Sequence, residues 1–410
     1  MKYILSAIVL FFAFEGPAQT SISGDIVTLI NSKINTLPGS FTNVYSAPSA
    51  SDIEEWNSLI LNIVEENYSD AATKASGLGY ELFEVTNDDK VYYMLTKTDD
   101  SSNYWGTYVF NSKACRSNLV IQSPHPIADR NTGKQGVFVF KEVDAYAFFL
   151  SGTHRCNNTT FSACSGTTTI CSGSSSEKYR ISDAAHNTNS AYQVTTEVIK
   201  DQINPYFIQL HGFSKESSDP YVIMSNGARV LTGADKLTEL KNQLAAEDNS
   251  LTFKLSHIDL GWNKLLAFTN TQGRYINNSL DPCGTNATIA TGRFIHIEQE
   301  YEKLRSAESK WLLMANAIEN TFSCGAVTGL ESGFNGLKVF PNPGSESFVF
   351  ESTNPKSYKV CISNTLGNLI KTFTLVSKSK ISISSWENGI YIYQIFDHDN
   401  LVDSGKIIKQ

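Results

Sequence analysis

Short β-branched and aromatic runs alternate with helically spaced apolar stretches through residues 52–319 of this chain. That alternation constrains the fold more than any other feature. From Asp52 to Ala75 apolar residues recur at helical spacing (Ile53, Trp56, Leu59, Ile60, Ile63, Val64), which predicts a helix. Val91–Leu95, Trp105–Phe110, Leu119–Gln122, Val137–Phe140 and Ala147–Leu150 read as strands. A helix is expected over Thr188–Ile203, strands at Tyr206–Leu210 and Tyr221–Met224, and a helix over Ala234–Ala246. Strands at Leu265–Phe268 and Arg293–Ile297 follow, then a helix over Glu300–Glu319. Strands alternating with helices predict an α/β fold, a mixed, mostly parallel sheet flanked by helices on both faces. In open sheets of that kind ligands bind beyond the carboxyl ends of the strands.

Four strand-like runs end on metal-binding residue types: Ser123-Pro-His125-Pro-Ile-Ala-Asp129, Gly152-Thr-His154-Arg155, Gln209-Leu-His211-Gly212 and His296-Ile-Glu298. The chain has only seven histidines, so their placement at strand ends is informative. A hydrolytic zinc site needs three nitrogen or oxygen ligands, an open position for water and a carboxylate base. His125, Asp129 and His211 are the candidate ligands, with Glu142 the next acid should Asp129 not serve. Pro124 and Pro126 stiffen the loop around His125, and Gly212 leaves room for a close approach beside His211. Glu298 shares a strand face with His296, opposite Ile295 and Ile297, and suits a general base. Arg155 is a candidate for oxyanion support, and Arg274 with Asn277 for holding a substrate carboxylate. His154 reads as an orienting partner of a ligand. His186 reads as a cap-region hydrogen bonder ahead of a fourth metal contact or proton shuttle, and His257 as structural. No HExxH, GxSxG, GxxxxGK[ST] or GxGxxG pattern is present.

These islands, within about 119–305, resemble the N-formylglutamate amidohydrolase and zinc carboxypeptidase superfamily. Ser-Pro-His125-Pro is similar to its first metal motif, Leu-His211-Gly to its second, and His-Ile-Glu298-Gln-Glu-Tyr to the amidohydrolase base motif. The resemblance implies a zinc-exopeptidase-like fold, a zinc cofactor and a peptide or acylated amino acid as substrate. Zinc carboxypeptidases space the first His and acid more tightly than His125 and Asp129 are spaced.

The two ends of the chain point to export. Lys2 followed by the apolar stretch Tyr3–Phe14 and Pro17-Ala18-Gln19-Thr20 reads as a signal peptide over residues 1–19, too short for a membrane span. A catalytic domain is expected over 20–324, a glycine-containing linker over 325–336, and a small all-β sandwich over 337–410. In that last region Leu337-Lys-Val-Phe340-Pro-Asn-Pro343, Gly389-Ile-Tyr391 and Gly405-Lys406-Ile-Ile-Lys409 resemble the C-terminal sorting domain of proteins exported by type IX secretion. The resemblance implies handling by that machinery and delivery to the cell surface or medium. With it, Cys361 is expected as a small buried hydrophobe outside any disulfide. Export makes disulfides the expected state of the other six cysteines, three of which fall in the Ser/Thr/Gly-rich segment Asn157–Ser176 or next to it. Their connectivity stays open. A net charge of −8 argues against a nucleic-acid partner. The reading that follows is an exported zinc-dependent hydrolase of amide bonds. The alternative is a non-catalytic surface binding protein that the sorting domain delivers.

Overall fold

The computed structural model describes residues 20–324, 337–352, 356–364, 368–397 and 400–410. The signal-peptide segment and the linker expected from the sequence lie outside the described residues, as does His398. The chain divides into two compact units, Met1–Phe322 and Ser323–Gln410.

The first unit begins with β1 (Thr20–Ser23), α1 (Ile26–Asn35), α2 (Ala50–Val64) and α3 (Tyr68–Gly77). It continues through β2 (Tyr80–Asn87), β3 (Lys90–Lys97), β4 (Thr107–Phe110), β5 (Arg116–Ser123), α4 (Thr132–Glu142) and β6 (Ala145–Leu150). The two-residue strands β7 (Thr167–Thr168) and β8 (Glu177–Lys178) precede α5 (Ala191–Gln202), β9 (Tyr206–Gly212) and β10 (Val222–Ser225). Then come β11 (Val230–Leu231), α6 (Lys236–Glu247), β12 (Phe253–Leu255), α7 (Thr271–Ile276), β13 (Ile289–Ala290) and β14 (Phe294–Gln299). Helices α8 (Tyr301–Leu304) and α9 (Glu308–Thr321) close the unit.

Ten strands form one mixed sheet in the order β1-β2-β3-β4-β6-β5-β9-β14-β10-β12. Five of its nine pairings are parallel, and the central run β6-β5-β9-β14 is wholly so. Alternation along the strands divides the core between two faces. Leu119 and Ile121 of β5, Ile208 and Leu210 of β9, and Ile295 and Ile297 of β14 pack with α1, α4, α6 and α9. Val120, Phe207 and Phe294 face the other way, toward α2, α3, α5 and α7. The sheet is therefore covered on both sides, as the sequence pattern predicts.

Four expectations are corrected. Val137–Phe140 lies inside helix α4, not a strand. Val137, Val139 and Phe140 are fully buried and Phe138 meets the Trp311 ring of α9, so the helix is covered on most sides and its four consecutive apolar residues read locally as a strand. Gly136 lets α4 lie this close, since a Cβ there would come within 2.3 Å of Ser123 Oγ and 2.7 Å of the Phe148 ring. Leu265–Phe268 is irregular, because Leu265 and Ala267 take left-handed backbone angles (φ +60° and +56°) that no strand accommodates. The Asp52–Ala75 helix is two helices, broken where Glu66 has φ +60°. The Glu300–Glu319 helix is also two, separated at Arg305-Ser306-Ala307, where the Arg305 guanidinium turns back to the carbonyls of Gln299, Arg130 and Phe213.

The second unit contains β15 (Leu337–Phe340), β16 (Ser347–Ser352), β17 (Tyr358–Asn364), β18 (Leu369–Leu375), β19 (Lys378–Ser382), β20 (Gly389–Asp397) and β21 (Asn400–Lys409). They form two antiparallel sheets, β15-β16-β19 and β18-β17-β20-β21. Phe348 and Phe350 of one sheet share a core with Val360, Ile362, Ile395 and Ile407 of the other. Cys361 is free, as expected, but only partly buried, which corrects the expectation that it is buried. Val360 and Ile362 take the inward positions, so the residue between them points outward.

Candidate functional site

His125, Asp129, Arg155, His211 and Glu298 gather at the carboxyl ends of the four central parallel strands. The chain leaves β5 for β6 on one side and reaches β9 on the other, so a crevice opens between the ends of β5 and β9. His125 follows β5 by two residues, and the turn after it brings Asp129 back, with Asp129 N–H donating to His125 O at 3.0 Å. His211 is the penultimate residue of β9, and Glu298, penultimate in β14, is its register partner. Gly212 admits Arg305: a Cβ there would lie 2.1 Å from the guanidinium carbon.

Asp129 Oδ2 lies 3.2 Å from His125 Nδ1 and 3.1 Å from His211 Nδ1. The far ring nitrogens have other acceptors. His125 Nε2 is 2.8 Å from Asp183 Oδ1, and His211 Nε2 is 2.8 Å from Gln209 Oε1. With each ring N–H donated outward, two imidazole lone pairs and a carboxylate oxygen turn toward one another. A cation among them relieves that repulsion, and the donor set of two imidazoles and one carboxylate fits a divalent metal ion. Two overlapping groups, His125–Asp183–His186 and His211–His296–Glu298, also bring ligand atoms within 4.8 Å of one another. In the first, Arg155 already occupies Asp183 as its cation.

Burial alone would raise Asp129, but His125 and His211 outweigh it and hold the carboxyl below its usual range. Asp183, also buried, is held well below its usual range against burial by Arg155, His186 and His125. Arg155 donates from Nε (2.9 Å) and Nη2 (2.6 Å) to Asp183 Oδ2, and its Nη1 lies 3.3 Å from His125 Nδ1. Burial, with the Asp129 charge second, pushes Glu298 up to about 8. Its Oε2 and the Nδ1 of His296 are buried without a hydrogen-bond partner among the described residues. His186 stacks on Tyr179 at 3.6 Å between centroids and bonds Asp183 at 3.0 Å; burial lowers it to about 4, so it is neutral.

Asp183 is the residue that the sequence reading missed. Its signal was available: an acid three residues before His186, in a chain that needs a carboxylate to orient a ligand histidine. Other candidates stand elsewhere. Glu142 is exposed at the far end of α4. His154 accepts from Cys156 N–H at 3.0 Å and does not line the cleft, and His257 bonds Asp235, the cap of α6. Arg274 and Asn277 are not brought to the site either. Arg274 donates to the carbonyls of Phe268, Pro282 and Cys283 and to Ser165 and Asn286, and Asn277 bonds Asn226 O and Thr291. Both fasten loops. Replacing Arg274 by Met is expected to lower unfolding free energy by about 2 kcal/mol, since several partly buried acceptors lose a charged donor; urea denaturation measures it.

The cleft above these residues has a volume of about 1020 Å³. Its walls are Thr167–Ile170, Leu265–Asn270 and the segment from Glu298 to Arg305. The Thr167–Ile170 wall is tied by the Cys156–Cys171 disulfide to the residue after Arg155, and Cys164–Cys283 ties the same loop to the Arg274 region. Cys115 and Cys324 are also in disulfides.

Residues 338–410 match the family model of the secretion system C-terminal sorting domain. This marks the protein for type IX export to the cell surface or extracellular space. No described helix is long and apolar enough to cross a membrane. A search of curated proteins finds no match to the chain. Among solved structures the chain is similar to a crystal structure described as "Putative carboxypeptidase A" from Shewanella denitrificans OS-217, at 12% identity and a TM-score of 0.30, over 63% of this chain and 69% of that one.

Proposed function

We propose that the protein is an exported zinc-dependent hydrolase that cleaves an amide bond in a peptide or an N-acyl amino acid. The observation that carries this is the convergence of His125 Nδ1, Asp129 Oδ2 and His211 Nδ1 at the mouth of a wide cleft, with Glu298 beside them. Zinc held by those three residues supplies electrophilic polarisation of a carbonyl and lowers the pKa of water. Glu298 takes the proton of the attacking water and returns it to the leaving nitrogen. Its raised pKa, about 8, suits the second half of that task. Arg155, aligned by Asp183, lines the cleft with Nη1 3.3 Å from His125 Nδ1, and would stabilise negative charge on the carbonyl oxygen. Asp183 orients His125 by accepting its Nε2–H.

Metal analysis of the purified protein is expected to find about one zinc per chain. Hydrolysis of a panel of peptides and N-acyl amino acids should stop with a chelator and return with zinc. A protein that carries zinc but cleaves nothing in that panel is the surface binding protein of the alternative reading. Absence of stoichiometric metal overturns the site assignment itself.

A further inference from the structure

Beneath the candidate metal ligands, on the same face of the sheet, lies a patch of fully buried side-chain amides. Gln122 of β5, Gln209 of β9 and Gln272 of α7 have no solvent exposure, and Asn270 is 1% exposed. All of these amides but Gln209 are oriented by a backbone group whose role as donor or acceptor is unambiguous, Gln122 through the Thr196 hydroxyl. Thr196 Oγ1 donates to Tyr192 O at 3.0 Å, so it accepts from Gln122 Nε2 at 2.9 Å and leaves Gln122 Oε1 facing Gln209. Gln272 Nε2 donates to Ala184 O at 2.8 Å, so Gln272 Oε1 also faces Gln209. Asn270 Oδ1 accepts from Gly273 N–H at 2.8 Å, so its Nδ2 faces Gln209 as a donor.

These anchors leave Gln209 one orientation. Its Nε2 donates to Gln122 Oε1 (3.0 Å) and Gln272 Oε1 (3.3 Å), and its Oε1 accepts from Asn270 Nδ2 (2.6 Å). Turned the other way, it would set oxygen against two oxygens and NH₂ against NH₂ where water has no access. The atom that Gln209 presents to His211 Nε2, at 2.8 Å, is therefore an acceptor. Nδ1 faces the other acceptor, Asp129 Oδ2 at 3.1 Å, so a neutral His211 has two acceptors for its one N–H, and the shorter contact, to Gln209, places it on Nε2.

We infer that Gln209 is a positioning residue: its carbonyl, locked by the buried amide relay, holds His211 as the Nε2–H tautomer and so keeps the Nδ1 lone pair aimed at Asp129 and the metal position. The inference rests on the metal-site reading above. The relay runs from the backbone of α5, through Thr196, Gln122 and Gln209, to His211. It gives the ligand its direction before any metal arrives.

The test uses the full chain and two readouts that need no hydrolysis. The first is the pair of imidazole ¹⁵N shifts of His211 in metal-free protein at neutral pH. The second is zinc affinity by chelator competition. Wild type is expected to show the Nε2–H tautomer. Gln209→Met, of similar size but with no acceptor, is expected to show mixed tautomers and to bind zinc about 10- to 100-fold more weakly. Where Gln209→Met does not fold, Gln122→Met breaks the relay one bond further out, and a fall in affinity in the same direction is expected. An Nδ1–H tautomer in wild type, or wild-type affinity in a folded Gln209→Met or Gln122→Met protein, overturns the inference. A zinc-bound wild type that cleaves no amide defeats the hydrolase proposal and leaves this one standing. A wild type that takes up no zinc defeats the metal reading, and the tautomer measurement alone then decides whether Gln209 directs His211.

Discussion

Glu298→Gln is expected to fold, to keep its zinc and to lose amide hydrolysis by about 100- to 10,000-fold, the usual contribution of a positioned general base. The substitution changes almost nothing sterically. Among the described residues Oε2 is buried with no partner, and Oε1 has the long 3.5 Å approach of His296 Nε2. What it removes is the ability to take a proton. Stability gives an independent readout in metal-free protein. Because burial and the Asp129 charge raise Glu298 to about 8, the folded state retains a proton that the unfolded chain has released. Its contribution to stability is therefore full below the ordinary carboxylate range and declines as pH rises toward about 8. Glu298→Gln should flatten that decline, so at neutral pH metal-free variant melts no lower than metal-free wild type. Hydrolysis within about threefold of wild type in a folded, zinc-loaded variant would remove Glu298 from the mechanism.

His211→Ala is expected to do more: zinc affinity should fall beyond the roughly 100-fold typical of changes outside the ligand set, and hydrolysis should fall with it. One imidazole lone pair of three donors is lost, and Asp129 Oδ2 keeps His125 and the Gly212 N–H (3.3 Å) as neighbours. His125→Ala should act in the same direction. It also strips Asp183 of one of its four cationic or hydrogen-bonding partners, leaving Arg155, His186 and the Ala185 N–H. A thermal readout separates metal loss from misfolding. Ligand that binds only the native state stabilises it by about 4 kcal/mol at a thousandfold excess over Kd, so chelation should lower the melting temperature of wild type. The melting temperature of His211→Ala should not respond to chelation. Stoichiometric zinc surviving in both variants would sink the assignment of these ligands.

Much of the fold was legible because it depends on local pattern. The strands Leu119–Gln122, Ala147–Leu150, Tyr206–Leu210 and Arg293–Ile297 were readable from short β-branched and aromatic runs, and all belong to the central parallel group. Where reading failed, tertiary contacts had overridden the pattern. Helix α4 is buried on several sides, so its run Val137–Phe140 is apolar without a break, and Leu265–Phe268 is a cleft wall whose left-handed residues leave no trace in hydropathy. The same division holds at the site. His125, Asp129, His211 and Glu298 were marked by their position at the ends of apolar runs, and the structure brings them together. Arg274 looked equally suitable as an isolated arginine, because sequence does not show that its donors are already taken by loop carbonyls.

By itself, then, the sequence determined the strand-and-helix alternation, the export tail and the residue types available at strand ends. Each of these is written in residues close together along the chain. Only the tertiary structure decided which side chains share a point in space. It placed Asp183 against His125, 58 residues away, and carried the Gln122–Gln209 bond across 87 residues to orient His211. The order of strands in the sheet brings such partners together, and hydrogen-bond direction among buried amides then allows a single arrangement. Neither the strand order nor the direction of those bonds has a signature within a local stretch of sequence.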